Sequence, residues 1–191
     1  VEGSTLSIGG NLTVEAVENS TLITAAVGGA GANKVAVGGA IALNIVANSI
    51  SSRIGATVDT DEDGNVLSVT PSSIQVAGTA TVSTDDTTTS VSTAGGLSAS
   101  SKGAIGAGVA INLMWNDSEA VIDSSTVEAG SDVVVDATAN ETLVTVAIGG
   151  SGADKFALGG AVAVAVGNNR VRAGITNDEG QESNATTGVH Q

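Results

Sequence analysis

The chain repeats itself three times, and a repeat restricts the possible folds more than any single motif does. Residues 11–54 align without a gap on residues 132–175, and a middle copy runs over 79–122. Each copy follows a matching lead-in: STLSIGG from Ser4, SSIQVAG from Ser72 and STVEAG from Ser125. The steps between copies are 68 and then 53 residues; the difference comes from an acidic stretch in the first copy, Val58–Ser72. The expected organisation is one repeat domain over 1–191. Repeat 1 spans 4–57 with an insertion at 58–72, repeat 2 spans 72–123, repeat 3 spans 124–175, and a polar tail covers 176–191. The tail reads as the start of another insertion, so the array is expected to continue beyond these residues. Units of this kind bury their apolar sides only against their neighbours.

Within each copy the pattern has a period of two. Val35, Val37, Ile41, Leu43 and Ile45 fall on one face of a strand; Ala36, Gly38, Ala40, Ala42 and Asn44 fall on the other. The other two copies repeat this, with Ile105, Val109 and Ile111 or Leu158, Val162 and Val164 as the bulky set. Period two means strand. A helix would lose ~1 kcal/mol at each of the paired glycines. The expectation is that the bulky face fills a core while the small face lets another sheet approach closely. With neither face charged, both are expected to be covered. Further short strands are expected at Leu12–Ala16, Ser73–Val76, Thr79–Ser83, Thr126–Glu128 and Asp132–Ala137, so that each unit makes about two turns of a three-sided solenoid. Aromatic residues make up 1% of the chain and hydrophobic residues 41%. Ala, Val, Ile and Leu must therefore do the packing, which suits thin layers.

The expected fold class is all-β, a parallel β-helix of three degenerate units of about 53 residues. The alternative is a stack of long antiparallel hairpins. There Thr21–Ala32 would return as Val35–Val46 through Asn33 and Lys34.

A net charge of −14 with six Lys and Arg argues against nucleic acid and anionic membrane surfaces. The absence of cysteine excludes disulfides and thiolate metal sites. No apolar run reaches the ~18 residues of a membrane helix, so the chain is expected not to be membrane-embedded. Val1-Glu2-Gly3-Ser4 is polar, so an export signal is expected outside these residues.

Candidate chemistry is sparse. Asp59, Asp61 and Asp63, followed by Gly64, place alternate carboxylates around a tight turn as a calcium loop does, but the twelfth position is Thr70, without the usual bidentate carboxylate. The competing reading is a hairpin in which Thr57–Thr60 turns through Asp63-Gly64 into Val66–Thr70. Lys34, Lys102 and Lys155 share one repeat position, as gatekeepers against aggregation or as a cationic ladder for anionic glycans. Asn48, Asn116 and Asn169 also coincide, as stacked amides would. Trp115, the single Trp, reads as a local core filler or edge cover, with an exposed binding aromatic as the lesser reading. No catalytic residues are expected. The carboxylates at Asp59–Asp63 and Asp85-Asp86 lack recurring basic or aromatic companions, and the only His is His190, next to the last residue.

The lead-in S-x-[LIV]-x-[IVA]-x-G, then [LAV]-[TV]-V-x-[AT], then GGxxA-x-[KG]-[VFG]-A-[VIL]-G, resembles the passenger repeats of large secreted bacterial adhesins. The closest resemblance is to the leukotoxin-type filamentous adhesins, with autotransporter passengers more distant. It covers essentially the whole chain. It implies a right-handed parallel β-helix, type V secretion and display at the cell surface. The function to expect is then a structural or adhesive stalk segment, extracellular or cell-surface, facing a receptor or glycan on a host or neighbouring cell. End-to-end or lateral self-association is expected as well. The alternative is a segment of a β-helical carbohydrate-active enzyme or a glycan-binding module.

Overall fold

The steps of 68 and 53 residues become the ladders of the fold. In a computed structural model of the chain, which describes residues 1–176 and 186–189, Leu12 pairs with Ala80 and Ala80 with Val133, and the register holds without a slip for the whole strand length. Among the described residues twelve strands follow in order. They are β1 (Thr5–Ile8), β2 (Leu12–Ala32), β3 (Val35–Ile54), β4 (Thr57–Thr60), β5 (Val66–Thr70) and β6 (Ser73–Val76). Then come β7 (Ala80–Ser100), β8 (Gly103–Asp123), β9 (Thr126–Ala129), β10 (Val133–Ala153), β11 (Phe156–Thr176) and β12 (Thr186–Val189). Three sheets are wholly parallel: β1-β6-β9-β12, β2-β7-β10 and β3-β8-β11. The fourth is the antiparallel pair β4-β5. The fold is therefore an all-β parallel solenoid.

Three expectations change. Each repeat makes one turn of the solenoid, a short strand and two long ones, where about two turns were expected. The segments read as short strands at Leu12–Ala16, Thr79–Ser83 and Asp132–Ala137 are the first residues of strands that run for 21 residues. The chain does reverse at Asn33 and Lys34, as the hairpin alternative requires, but β2 and β3 lie in different sheets and pair with neighbouring turns in parallel. The tail expectation for residues 177–185, like His190, lies outside the described residues. Beyond that gap, β12 stacks on β9 in the position of a fourth short strand.

The third change concerns the faces. The bulky residues point outward: Val35, Val37, Ile41, Leu43 and Ile45 are all exposed, with Ile41 at 72%. The small residues face the opposite sheet. Ala36, Ala42, Asn44, Ala104, Ala110 and Asn112 are buried. The physical reason is the two-residue turn at Asn33-Lys34. It holds the sheets so close at this end that a Cβ built on Gly28 would lie 1.9 Å from the carbonyl oxygen of Gly39. The equivalent approaches are 1.8 Å between Gly96 and Ala107 and 1.7 Å between Gly149 and Gly160. At those contacts even a Cβ does not fit between the backbones, so glycine is required.

The molecule thus has a base and a blade. At the base all three sheets meet, and Ile54, Ile74, Val82, Ile122 and Val127 form a conventional apolar core, flanked by Leu6, Ile8, Leu12 and Val14. Full burial of such a side chain contributes about 1.5–3 kcal/mol. Further out only two sheets remain. The small cluster Ala42, Ala94 and Ala110 packs between them, and the glycine contacts lie nearer the tip.

Candidate functional site

Between the base core and the alanine layer the blade interior is largely polar, with Val46 and Met114 as its buried apolar members. Asn44 donates through Nδ2 to the Val91 carbonyl (2.9 Å) and to Ser90 Oγ (3.1 Å). Ser90 Oγ in turn donates to Asn112 Oδ1 (2.7 Å), and Asn112 Nδ2 donates to the Ser90 carbonyl (2.8 Å). These bonds tie one long sheet to the other across the thin interior. Closer to the base, Asn48 Nδ2 donates to Ser20 Oγ (3.2 Å) and Thr88 Oγ1 (3.0 Å). Asn48, Asn116 and Asn169 are register partners, as expected. They do not act alike. Asn48 bonds across the sheets, both amide atoms of buried Asn116 lack a protein partner, and Asn169 is exposed.

Asp86 belongs to the same interior. It is fully buried, accepts from Thr88 Oγ1 (2.8 Å) through Oδ1, and has no protein partner at Oδ2. Its ladder neighbour in the first turn is Glu18. A buried carboxylate with an unbonded oxygen is costly. Asp85 and Asp86 do not act as a pair, because period two puts Asp85 outside and Asp86 inside.

The acidic insertion folds as the competing hairpin reading describes, with β4 at Thr57–Thr60 and β5 at Val66–Thr70. Gly64 takes φ +81°, which favours glycine. The Asp61 carboxylate is turned onto its own loop. Oδ1 accepts from the backbone N–H of Asp63 (3.0 Å) and of Asn65 (2.8 Å), and Oδ2 accepts from Asn65 Nδ2 (2.9 Å). These bonds, the Asn65 side chain first, hold its pKa below the ordinary Asp value. Asp59 Oδ2 accepts from Ser68 Oγ (2.9 Å). Asp59, Asp61 and Asp63 are close in sequence, yet among the described residues no three His, Cys, Asp or Glu side chains gather as a metal-holding group.

At the far end of the blade the turns bearing Lys34, Lys102 and Lys155 stack on one another. Gly103 N–H donates to the Lys34 carbonyl (3.0 Å) and Phe156 N–H to that of Lys102 (3.1 Å). Ser101 Oγ donates to the Asn33 carbonyl. Charge is segregated along the blade. Over 22–46, 90–114 and 143–167 the only charged residues are these three lysines and Asp154. At the base, Arg53 bridges turns to the buried Asp123 carboxylate (2.5 Å).

The most distinctive surface is the outer face of β3-β8-β11. Ladder rows across it run from Val37, Ile105 and Leu158 to Ile45, Leu113 and Val166, with Val35 and Phe156 beyond them. One row, Gly39, Ala107 and Gly160, is small and makes a trough across the field. Trp115 closes the field on the base side, 42% exposed, which overturns the core-filler reading. The next rows are charged: Arg170 lies 3.9 Å from Asp117 and Arg172 3.2 Å from Glu119. The sequence reading named these apolar residues but assigned them to a core. The signal that could have placed them outside was the symmetry of the glycine pairs, Gly28-Gly29 and Gly38-Gly39, about the Asn33-Lys34 turn. Comparison with family models, curated proteins and solved structures finds no match for this chain.

Proposed function

We propose that this chain is a structural segment of a secreted or surface-displayed protein, a stiff blade-shaped spacer whose outer faces make contacts. The observation that supports this best is the unbroken register of the two long parallel sheets through three turns. Every turn bonds to the next along 20 or 21 residues on each long side, so bending the array strains many backbone bonds together. The polar bridges between sheets add resistance to shear. An adhesin stalk, as the repeat motifs suggest, needs this mechanical behaviour.

The test is force spectroscopy on a chain tethered at its two ends, together with a glycan-degradation screen. The proposal expects cooperative rupture at high force and no glycan turnover. Extension at low force without a rupture event, or glycan turnover, would overturn it.

A further inference from the structure

We infer that the outer face of β3-β8-β11 is an interface for a second copy of this chain, packed face to face about a two-fold axis. Three strands about 4.8 Å apart and ten residues of about 3.3 Å give this field a plan area of roughly 500 Å², the upper end of what a monomer exposes. Two copies cover roughly 1,000 Å² in plan, the lower bound for a biological interface and the size of a weak, reversible one.

The relief of the field is self-complementary. The trough at Ala107 lies beside the ridge at Val109, one ladder row away on the same strand. A two-fold axis lying between the two faces, over Gly108 and parallel to the ladder rows, seats each copy's Val109 row in the other's Ala107 row, as an isologous contact demands. The same axis runs the two blades in opposite directions. The acidic bases then lie at opposite ends, and the lysine tip of each copy comes beside the Trp115–Asp117 margin of the other. In a chain of net charge −14, a parallel arrangement would bring like-charged bases together.

A bilayer is the competing occupant for an apolar face. It fits less well, because the same face carries charged rows directly beside the field, Asp117 with Arg170 and Glu119 with Arg172, and hydrocarbon would strip those charges of water. Face-to-face stacking covers the apolar field and leaves those charges in water.

Analytical ultracentrifugation over a concentration series decides the matter, on the unaltered chain and on I111K, A107K and V91K. Ile111 lies at the centre of the field, Ala107 in its trough, and Val91 on the outer face of the other long sheet. The expected result is a reversible dimer whose dissociation constant rises at least about ten-fold in I111K and A107K and stays unchanged in V91K. Circular dichroism confirms folding. Should I111K fail to fold, A107K, which extends an already exposed small residue, carries the test alone. A monomer up to about millimolar concentration, a dimer indifferent to I111K and A107K, or open-ended polymers would each overturn the inference. So would flotation of a monomeric chain with neutral phosphatidylcholine vesicles.

Discussion

The space available to a single Cβ decides most of what happens inside the blade. Gly96 faces the Ala107 carbonyl at a distance no Cβ could keep, whereas Gly29 has nothing within 4 Å of its missing Cβ. Gly96→Ala is therefore expected to destabilise by about 1–3 kcal/mol, the cost of overpacking. Gly29→Ala should be neutral or stabilise by up to about 1 kcal/mol through the unfolded chain. Urea denaturation of the two variants separates them, and equal effects would contradict the close approach of the sheets. On the hairpin, the Asp61 pKa is lowered by bonds chiefly from Asn65. Its contribution to hairpin stability is present above the unfolded Asp value and is lost as pH falls through the lower folded one. Asn65→Ala should raise the Asp61 titration midpoint toward 3.8, the unperturbed value, as followed by carboxyl NMR shifts.

At the scale of elements, the ladders were legible and the faces were not. Aligning Lys34 with Lys102 and Lys155 already matches the pairing of every long strand, because parallel in-register stacking turns a sequence offset into a hydrogen-bond register. The β4-β5 hairpin was legible through Asp63-Gly64 for the same local reason. Alternation of volume, however, states that two faces differ without stating which is inside. The ordinary rule sends Ile41 and Leu43 to the core. It fails here because a two-residue turn joins strands in different sheets, and the resulting gap admits Ala and Gly and excludes Ile. Asn44 and Asn112 on the small face gave a further misleading cue, since their amides find partners only in the facing sheet. The candidate site suffered the same inversion: an apolar field meant for a core became the principal exposed surface. The hairpin is an excursion from the turn, and repeat 2 passes through Asp123, Ser124 and Ser125 without one. Replacing residues 55–71 with Asp-Ser, in imitation of that connection, is expected to retain the β spectrum and shift Tm by only a few degrees. Loss of folding would show that the hairpin supports the stack.

For the molecule as a whole, base and blade solve the packing problem differently. The base follows the usual rule, with branched side chains where three sheets meet. The blade extends two of those sheets by closing them onto glycine, alanine and polar bridges, and it carries its apolar side chains outside. This inversion links sequence to proposed behaviour: the thin interior makes a stiff plate, and the outward Val, Ile and Leu make it a contact surface. A chain without cysteine allows the inversion to be measured at adjacent residues. Met114 is 0% exposed and Trp115 42% exposed, so Met114→Cys and Trp115→Cys place one thiol on each face of β8. Labelling the folded variants with a maleimide at dilute concentration should modify Cys at 115 rapidly and leave Cys at 114 protected until denaturant is added. The reverse order of reactivity would contradict the inside-out blade.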